Sequence, residues 1–309
     1  KYLSANIGTS FTATMVNGRT YLMLDPRFAF KWQLANSTSF KMSYTHMSQS
    51  LHRMASSFLE LPTDFWVPTT NEIKPTMSHQ IAAGIYTQPS THLTLSLEAY
   101  YKLSSHLLQY RHWMGFQPSA ATWNRDVADG KGKSYGMEAD ATYTTGSTTM
   151  SMAYTLSWSK RLFKDIYPTW FDDQFDNRHK INISLSHDFS QRISLYAAWT
   201  CHSGNRVTMP VGYTIQPNIP GDNKYSYDYI FDRPNNFSLP AYHRMDIGAN
   251  FRHTTRHGKE GIWNVSLYNA YCHLNTMYVK VRLDDNNKFQ IKSHGYIPII
   301  PSVSYTLKF

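Results

Sequence analysis

The sequence predicts an all-β chain: an antiparallel transmembrane β-barrel of which about twelve strands are visible. Three observations predict it. Segment after segment alternates apolar and polar side chains with a period of two, the spacing at which a strand shows one face to each side. The polar face carries full charges, while the apolar face carries large aromatic and Met side chains. Short and long connections follow each other in turn.

The strands are expected at 3–13, 21–34, 38–48, 78–87, 91–105, 133–144, 147–161, 178–189, 192–204, 241–254, 261–276 and 288–309. In the second, Phe28, Phe30, Trp32 and Leu34 are apolar, with Arg27, Lys31 and Gln33 between them. In the fifth, Leu93, Leu95, Leu97, Ala99, Tyr101 and Leu103 oppose Thr94, Ser96, Glu98, Tyr100 and Lys102. In the sixth, Tyr135, Met137, Ala139, Ala141 and Tyr143 oppose Gly136, Glu138, Asp140 and Thr142. The seventh sets Met150, Met152, Tyr154, Leu156 and Trp158 against Ser151, Ala153, Thr155 and Ser157. The next two continue the pattern with Ile181, Ile183 and Leu185, then Leu195, Ala197 and Trp199. In the tenth, Met245, Ile247, Ala249 and Phe251 oppose Arg244, Asp246, Gly248 and Asn250. The last nine residues alternate to the end, with Pro301, Val303, Tyr305, Leu307 and Phe309 on one side. Many of these runs match the ~9–11 residues that a tilted strand needs to cross hydrocarbon.

Short turns are expected near Asn36, Pro89, Gly146 and Gln191, and over Thr254 to Glu260. Long connections are expected at 49–77, 106–132, 162–177, 205–240 and 277–287. Short turns at one end and long loops at the other are the pattern of an outer-membrane barrel. A sandwich has loops at both ends too, but nothing forces the alternation. Charges such as Glu98, Lys102, Glu138, Asp140, Arg244 and Asp246 need water or partners, so that face is hydrated. The aromatic face needs a cover, and no convincing amphipathic helix is available to provide it. Lipid provides it without protein.

Composition agrees. No run of roughly 18 apolar residues exists, so no transmembrane helix is expected. Mean hydropathy is −0.47, which polar lumen positions and loops explain in a barrel. Aromatics make up 15% of the 309 residues, a share that suits aromatic girdles and equally suits carbohydrate binding. The net charge of +9 comes from scattered Lys and Arg, without a compact basic run or a nucleic-acid motif, so anionic headgroups or substrates fit better than nucleic acid. Cys201 and Cys272 match no metal or redox spacing and are expected as small strand residues.

Five segments together resemble one family. Leu239-Pro240-Ala241-Tyr242-His243-Arg244-Met245-Asp246-Ile247-Gly248, with Arg178 before an earlier strand, is similar to the "lPxYxRxDiga" strand of TonB-dependent receptors. Trp263-Asn264-Val265-Ser266-Leu267-Tyr268-Asn269 is similar to their penultimate strand, and Tyr135-Gly136-Met137-Glu138 and Asp25-Pro26-Arg27-Phe28 resemble two others. The run Ile299 to Phe309 resembles the strand that closes their barrel. The wording is nearest to receptors of Bacteroidota. The pattern departs at Asn269-Ala270-Tyr271-Cys272, where the family often shows a second Asn-containing turn.

The resemblance implies a bacterial outer-membrane protein for TonB-dependent nutrient uptake. It implies that residues 1–309 form the C-terminal part of a barrel of about 22 strands, with the plug and the N-terminal strands outside this chain. It implies lumen- or plug-facing roles for Glu98, Glu138, Asp140, Arg244 and Asp246. Tyr305, Leu307 and Phe309 then resemble the signal read by the barrel-assembly machinery. Implied partners are outer-membrane lipid, the TonB complex and, as in many relatives, a surface lipoprotein. Two alternatives remain: a passive porin-like barrel of about twelve strands, and a soluble carbohydrate-binding β protein.

For ligand contact the loop aromatics Trp66, Trp113, Trp123, Tyr167, Trp170, Tyr227 and Tyr229 are the candidates, since flat rings stack on sugars and cofactors. Loop–loop packing accounts better for most of them, and ligand contact for a minority. Asp172, Asp173 and Asp176 offer hard oxygens to Ca²⁺, but their spacing fits a solvated acidic turn better. His46, His106, His112, His202 and His294 fall near the long-loop rim without metal spacing. Asp284-Asp285-Asn286-Asn287 reads as a hairpin turn. Nothing resembles a catalytic triad, a phosphate loop or a paired catalytic carboxylate, so neither an enzyme nor a cofactor is expected.

Overall fold

The computed structural model describes residues 2–54, 65–111, 123–216, 226–284 and 288–308. β1 (Leu3–Val16) and β2 (Arg19–Ala35) meet at Asn17-Gly18, where φ is 44° and 79°. Asn-Gly takes this pair of positive φ values at little cost, which makes a two-residue hairpin turn. β3 (Thr38–Gln49) leads to an outer hairpin of β4 (Leu51–Met54) and β5 (Phe65–Pro68). β6 (Thr76–Ser90), β7 (Leu93–Tyr110), β8 (Val127–Thr145) and β9 (Thr148–Leu162) follow. The short β10 (Phe171–Asp172) pairs back onto β9, and β11 (His179–Asp188) and β12 (Ile193–His202) resume the wall. Next come β13 (Arg206–Val207), β14 (Gly212–Gln216), β15 (Ser226–Ile230) and β16 (Phe237–Ser238), with β13 on β16 and β14 on β15. β17 (Tyr242–Thr254) and β18 (Glu260–Tyr268) precede the outer hairpin of β19 (Tyr278–Leu283) and β20 (Phe289–His294). The last wall strand is β21 (Ile300–Lys308).

The wall strands pair antiparallel in the order β1-β2-β3-β6-β7-β8-β9-β11-β12-β17-β18-β21; with β10 attached to β9 the sheet has 13 strands. Each wall strand therefore pairs with the next in sequence. No further strand pairs the outer edges of β1 and β21 among the described residues. β7 and β8 run 18 and 19 residues, longer than a crossing needs, and carry the wall beyond the membrane surface.

The register joins the expected apolar sets into rows. One row runs Leu3, Trp32, Phe40, Ile85, Leu97, Ala139, Tyr154, Ile181, Cys201, His243. It begins near the short-turn end of β1 and finishes at the long-loop end of β17. That stagger is the tilt a sheet needs to curve into a barrel. One residue along lies the polar row Ser4, Lys31, Lys41, Gly84, Glu98, Glu138, Thr155, Lys180, His202, Tyr242.

The apolar face is exposed along the whole wall, through Ile7, Trp32, Leu97, Met137, Leu185 and Val303 among others. An apolar surface of this extent suits hydrocarbon and not water. No helix is long and apolar enough to cross a membrane; the strands make the crossing. The buried apolar clusters lie instead at the long-loop end. Met54, Val67, Ile73, Tyr110 and Val127 form one, and Ala128, Phe163 and Phe171 form another.

Two expectations need correction. The strand expected at 261–276 stops at Tyr268, because Asn269 turns the chain with a φ of 54°. The strand expected at 288–309 is two strands, β20 in an outer hairpin and β21 in the wall. Cys272 accordingly lies exposed in the loop after β18, while Cys201 is half-buried in β12.

Candidate functional site

At the long-loop rim the polar face opens into a concavity of about 230 Å³ lined by His202, Tyr242, Arg244, Tyr268, Asn269 and Asn275, among others. The alternation of β17 turns Tyr242, Arg244 and Asp246 to this side. His202 and Tyr268 arrive from the ends of β12 and β18, where the same phase runs out. Leu239 and Pro240 pass close behind: a Cβ on Gly204 would sit 1.7 Å from the Leu239 carbonyl oxygen, so only glycine fits there.

Arg244 organises the group. Its Nε donates to Asp246 Oδ2 at 3.0 Å, and its Nη2 lies 2.8 Å from the same oxygen. Nη1 donates to the hydroxyls of Tyr268 at 2.5 Å and Tyr242 at 3.1 Å. The guanidinium stands 4.1 Å over the Tyr268 ring. The His202 and Tyr242 rings stack at 4.8 Å, 6° from parallel. Asn275 grips the backbone of His243 through both ends of its amide, at 2.9 Å each. Asp246 cancels the arginine charge, so the surface offers hydroxyls, amides and flat rings instead of net charge. Such a surface recognises a polar, uncharged or ring-bearing ligand by hydrogen bonding and stacking.

Glu98, Glu138 and Asp140 share the polar face but lie elsewhere, on β7 and β8. Glu98 stands directly across from Glu138. Tyr86 donates to Glu98 at 2.5 Å, and Ser96 donates to Asp140 at 3.1 Å. The five expected luminal residues thus divide into a carboxylate belt on the wall and an Arg244–Asp246 pair at the rim.

The loop aromatics do not converge. Trp123 packs on the first outer cluster, and Tyr167 packs on Phe163 and Phe171 in the second. Trp170 lies under the Lys133 ammonium at 4.4 Å. Tyr227 meets Tyr213 edge-on at 5.6 Å, and Tyr229 and Phe289 are 6.3 Å apart where two outer hairpins touch. Trp66 is 61% exposed on β5. Trp113 lies outside the described residues. Most of these rings therefore hold long loops to one another.

Asp172, Asp173 and Asp176 form neither a cation site nor a solvated turn. Asp173 and Asp176 are buried. Asp173 pairs with Arg161 at 2.9 Å, Asp176 with Arg178 at 3.1 Å, and Asp172 with Arg206 at 3.2 Å. Asp176 also accepts the backbone N–H of Ser159 at 2.7 Å. Arginines occupy the space a cation would need, and among the described residues no group of His, Cys, Asp and Glu is arranged to hold a metal.

The rim histidines are also dispersed. His46 lies 3.1 Å from Asp25, His106 lies 2.8 Å from Asp129, and His294 stacks on Tyr278 at 4.8 Å. His112 lies outside the described residues. The hairpin expected around Asp284 is present as β19 and β20, closed by Lys288 N–H donating to Asp284 at 2.8 Å; residues 285–287 lie outside the described set. Tyr305 and Leu307 sit on the apolar side of β21, where Tyr305 rests on Trp263 at 4.8 Å; Phe309 lies outside the described residues.

Sequence reasoning named Arg244, Asp246 and His202 but missed Tyr242, Tyr268, Asn269 and Asn275 as one site. The phase of β17 and β18 already put Tyr242 and Tyr268 on the polar face. Asn269 and Asn275 carry no periodic signal, because they act in a loop that their own amides shape.

No curated protein matches the sequence. Residues 3–271 match the family model "TonB dependent receptor-like, beta-barrel". Among solved structures the chain resembles the pyoverdine outer membrane receptor FpvA from Pseudomonas aeruginosa PAO1, at a TM-score of 0.61 and 13% identity over 99% of this chain and 40% of that one. It resembles the ferric yersiniabactin uptake receptor FyuA from Yersinia pestis at 0.60 and 11%, over 99% and 42%. It resembles the FrpB iron transporter from Neisseria meningitidis at 0.55 and 14%, over 99% and 42%. The chain thus spans about two fifths of the length of these structures. With its staggered antiparallel wall and this match, the chain belongs to the TonB-dependent receptor β-barrel family of the Gram-negative outer membrane.

Proposed function

We infer that the protein takes up a scarce nutrient across the outer membrane by TonB-dependent transport, and that this chain supplies barrel wall and long outer loops. The observation that carries the reading is the charge-neutral, ring-lined concavity around Arg244 at the long-loop end of a polar face. A ligand held there meets Tyr242, Tyr268, His202 and Asn275 first. The polar row below, from His202 to Glu138 and Glu98, would then hydrate its path. Transport of this kind is gated binding and needs no covalent chemistry.

The chain reads as the C-terminal part of its barrel, of Bacteroidota type. The motifs that support this reading are those that resemble the family's late strands. The edges of β1 and β21, unpaired among the described residues, would each leave backbone groups unsatisfied in hydrocarbon, which supports a wall completed by other strands. Glu98, Glu138, Asp140, Arg244 and Asp246 would face a plug, through which the TonB complex acts. The end of β21 through Phe309 would address the assembly machinery, and a surface lipoprotein would cap the loops. Family membership leaves the porin-like and soluble carbohydrate-binding alternatives without support.

The test is uptake by cells that carry the full-length receptor, with a panel of ferric siderophores, haem, cobalamin, peptides and glycans. One ligand class should accumulate only when the receptor and TonB are both present. Tyr242→Ala with Tyr268→Ala should lower its uptake at least tenfold while the folded barrel persists in the membrane. Accumulation without TonB, or full uptake by the double variant, would overturn the reading.

A further inference from the structure

The apolar face of the wall is not uniform. Across β11, β12, β17 and β18 it sinks into a groove of about 650 Å³, with Ala197 and Ala249 at its floor. The register shows why. Ala197 lies between Leu185 and Ile247, and Ala249 lies between Leu195 and Val265. Two methyl side chains on adjacent strands, among Leu, Ile and Val, leave a furrow that crosses the wall obliquely. Phe189 and Phe251 flank its lower end.

Below the groove lie two short turns, one after β11 and one after β17; in the first, the Arg192 carbonyl accepts from Arg252 N–H of β17 at 2.7 Å. They carry Arg192, Arg256, His257 and Lys259, all exposed. The acids at this rim are already engaged: Asp188 faces Arg252 at 3.6 Å, and Glu260 accepts from Lys308 at 2.9 Å. Trp263, His253 and Tyr305 stack side by side on the same face, as rings do at a membrane interface. From Arg192 to Ala197 is five residues, about 16 Å of strand. At the roughly 35–45° tilt of a barrel strand that is about 12 Å of depth, within the ~15 Å that one leaflet contributes to the hydrocarbon core.

We propose that this groove and its basic rim form a binding site for an anionic phospholipid: an acyl chain lies over Ala197 and Ala249, and the phosphate meets Arg256 and Lys259. The short-turn end of a barrel of this family faces the inner leaflet, which places phospholipid and not lipopolysaccharide against it. The charge of the rim selects for the anionic headgroup, and the furrow selects for a chain that can lie flat.

The full-length receptor in detergent, given phosphatidylglycerol, phosphatidylethanolamine or lipid A, tests the site by native mass spectrometry. Wild type should retain phosphatidylglycerol at least fivefold more than phosphatidylethanolamine. The double exchange Arg256→Gln, Lys259→Gln lies on an exposed turn and should abolish that preference. Ala249→Phe, or Ala197→Leu should the first fail to fold, should reduce phosphatidylglycerol retention while leaving the rim intact. Equal retention of the two phospholipids by wild type overturns the proposal. So does a double variant that keeps its preference, a filled groove that binds as before, or lipid A outcompeting phosphatidylglycerol. None of these outcomes bears on the uptake reading, which is scored by transport.

Discussion

Asp246 accepts the backbone N–H of Asn269 at 2.9 Å through one oxygen while the other holds Arg244 at 2.8 Å. A single carboxylate thereby joins the polar face of β17 to the residue that ends β18. Asn269 is itself fully buried, and its amide bonds the carbonyls of His273 and Ile297, each at 2.9 Å. The two ends of the connection from β18 to β21 are drawn together at that amide. Asp246→Ala should therefore loosen the loop as well as the rim. A lost charged hydrogen bond is worth about 1.5–3 kcal/mol, which predicts roughly tenfold to hundredfold faster amide exchange over 270–278. Asp246→Asn retains an acceptor for Asn269 and should show a smaller change. Unchanged exchange in the alanine variant would sink the idea.

The buried carboxylate of Asp176 ties two outer loops together. It meets Arg178 at 3.1 Å and Arg206 at 3.6 Å, and it caps the Ser159 amide. Removing one partner of a buried pair strands the other, at a cost of about 3–5 kcal/mol. Asp176→Ala should expose 163–178 and 203–211 to protease on intact cells, while the wall stays folded by its gel mobility. Asp172→Ala, at a more accessible position, should do far less. Equal protection in wild type and Asp176→Ala would refute the clasp.

The wall was legible and the loops were not, for physical reasons. A strand between lipid and water must alternate, so Leu97, Ala139 and Tyr154 announced their strands and their face, while the row that joins them came from the pairing. The tight turn at Asn17-Gly18 was equally available, from a dipeptide that prefers positive φ, yet periodicity alone does not register it. The outer loops obey neither period. Asp172, Asp173 and Asp176 read as a solvated acidic turn because their partners Arg161 and Arg206 lie on other segments. Asn269 and Asn275 take their roles from amide geometry that only the folded loop creates. Alternation carried past Tyr268 overran the strand for the same reason: Tyr271 keeps the period, but Asn269 has already turned the backbone.

His52 gives the outer hairpin of β4 and β5 a pH dependence. Its ring is buried, within 3.0 Å of Thr76 Oγ1 and 3.3 Å of Thr69 Oγ1. Burial pushes the imidazole below its usual range; Asp129 pulls it partly back and His106 lowers it further. An opened hairpin titrates near the ordinary value of about 6.5. Above that pH both forms are neutral and nothing is lost. As pH falls below it, the open form takes up protons that the closed form resists, so the closed form loses stability until its own lower value is passed. Amide exchange over Leu51–Met54, corrected for its intrinsic pH dependence, should be faster at pH 5.5 than at pH 7.5. His52→Gln should remove the difference. A flat profile in wild type would contradict the assignment.

Leu97 and Ser96 are neighbours in β7 with opposite surroundings. Leu97 is 47% exposed on the apolar face, opposite Ala139 and Ile85. Ser96 lies on the polar face beside Asp140, to which its hydroxyl donates at 3.1 Å. An arginine on the lipid side of a barrel costs about 2–4 kcal/mol near the midplane and progressively less toward the interfaces. On the polar side it meets water and, at this position, a carboxylate. Leu97→Arg should therefore lower the folded fraction, read as heat-modifiable mobility on an unboiled gel. Ser96→Arg should leave the barrel folded and alter only the charge of the lumen. If the two variants fold equally well, or if Ser96→Arg is the worse, the assignment of faces in β7 is inverted, and with it the row from Leu3 to His243.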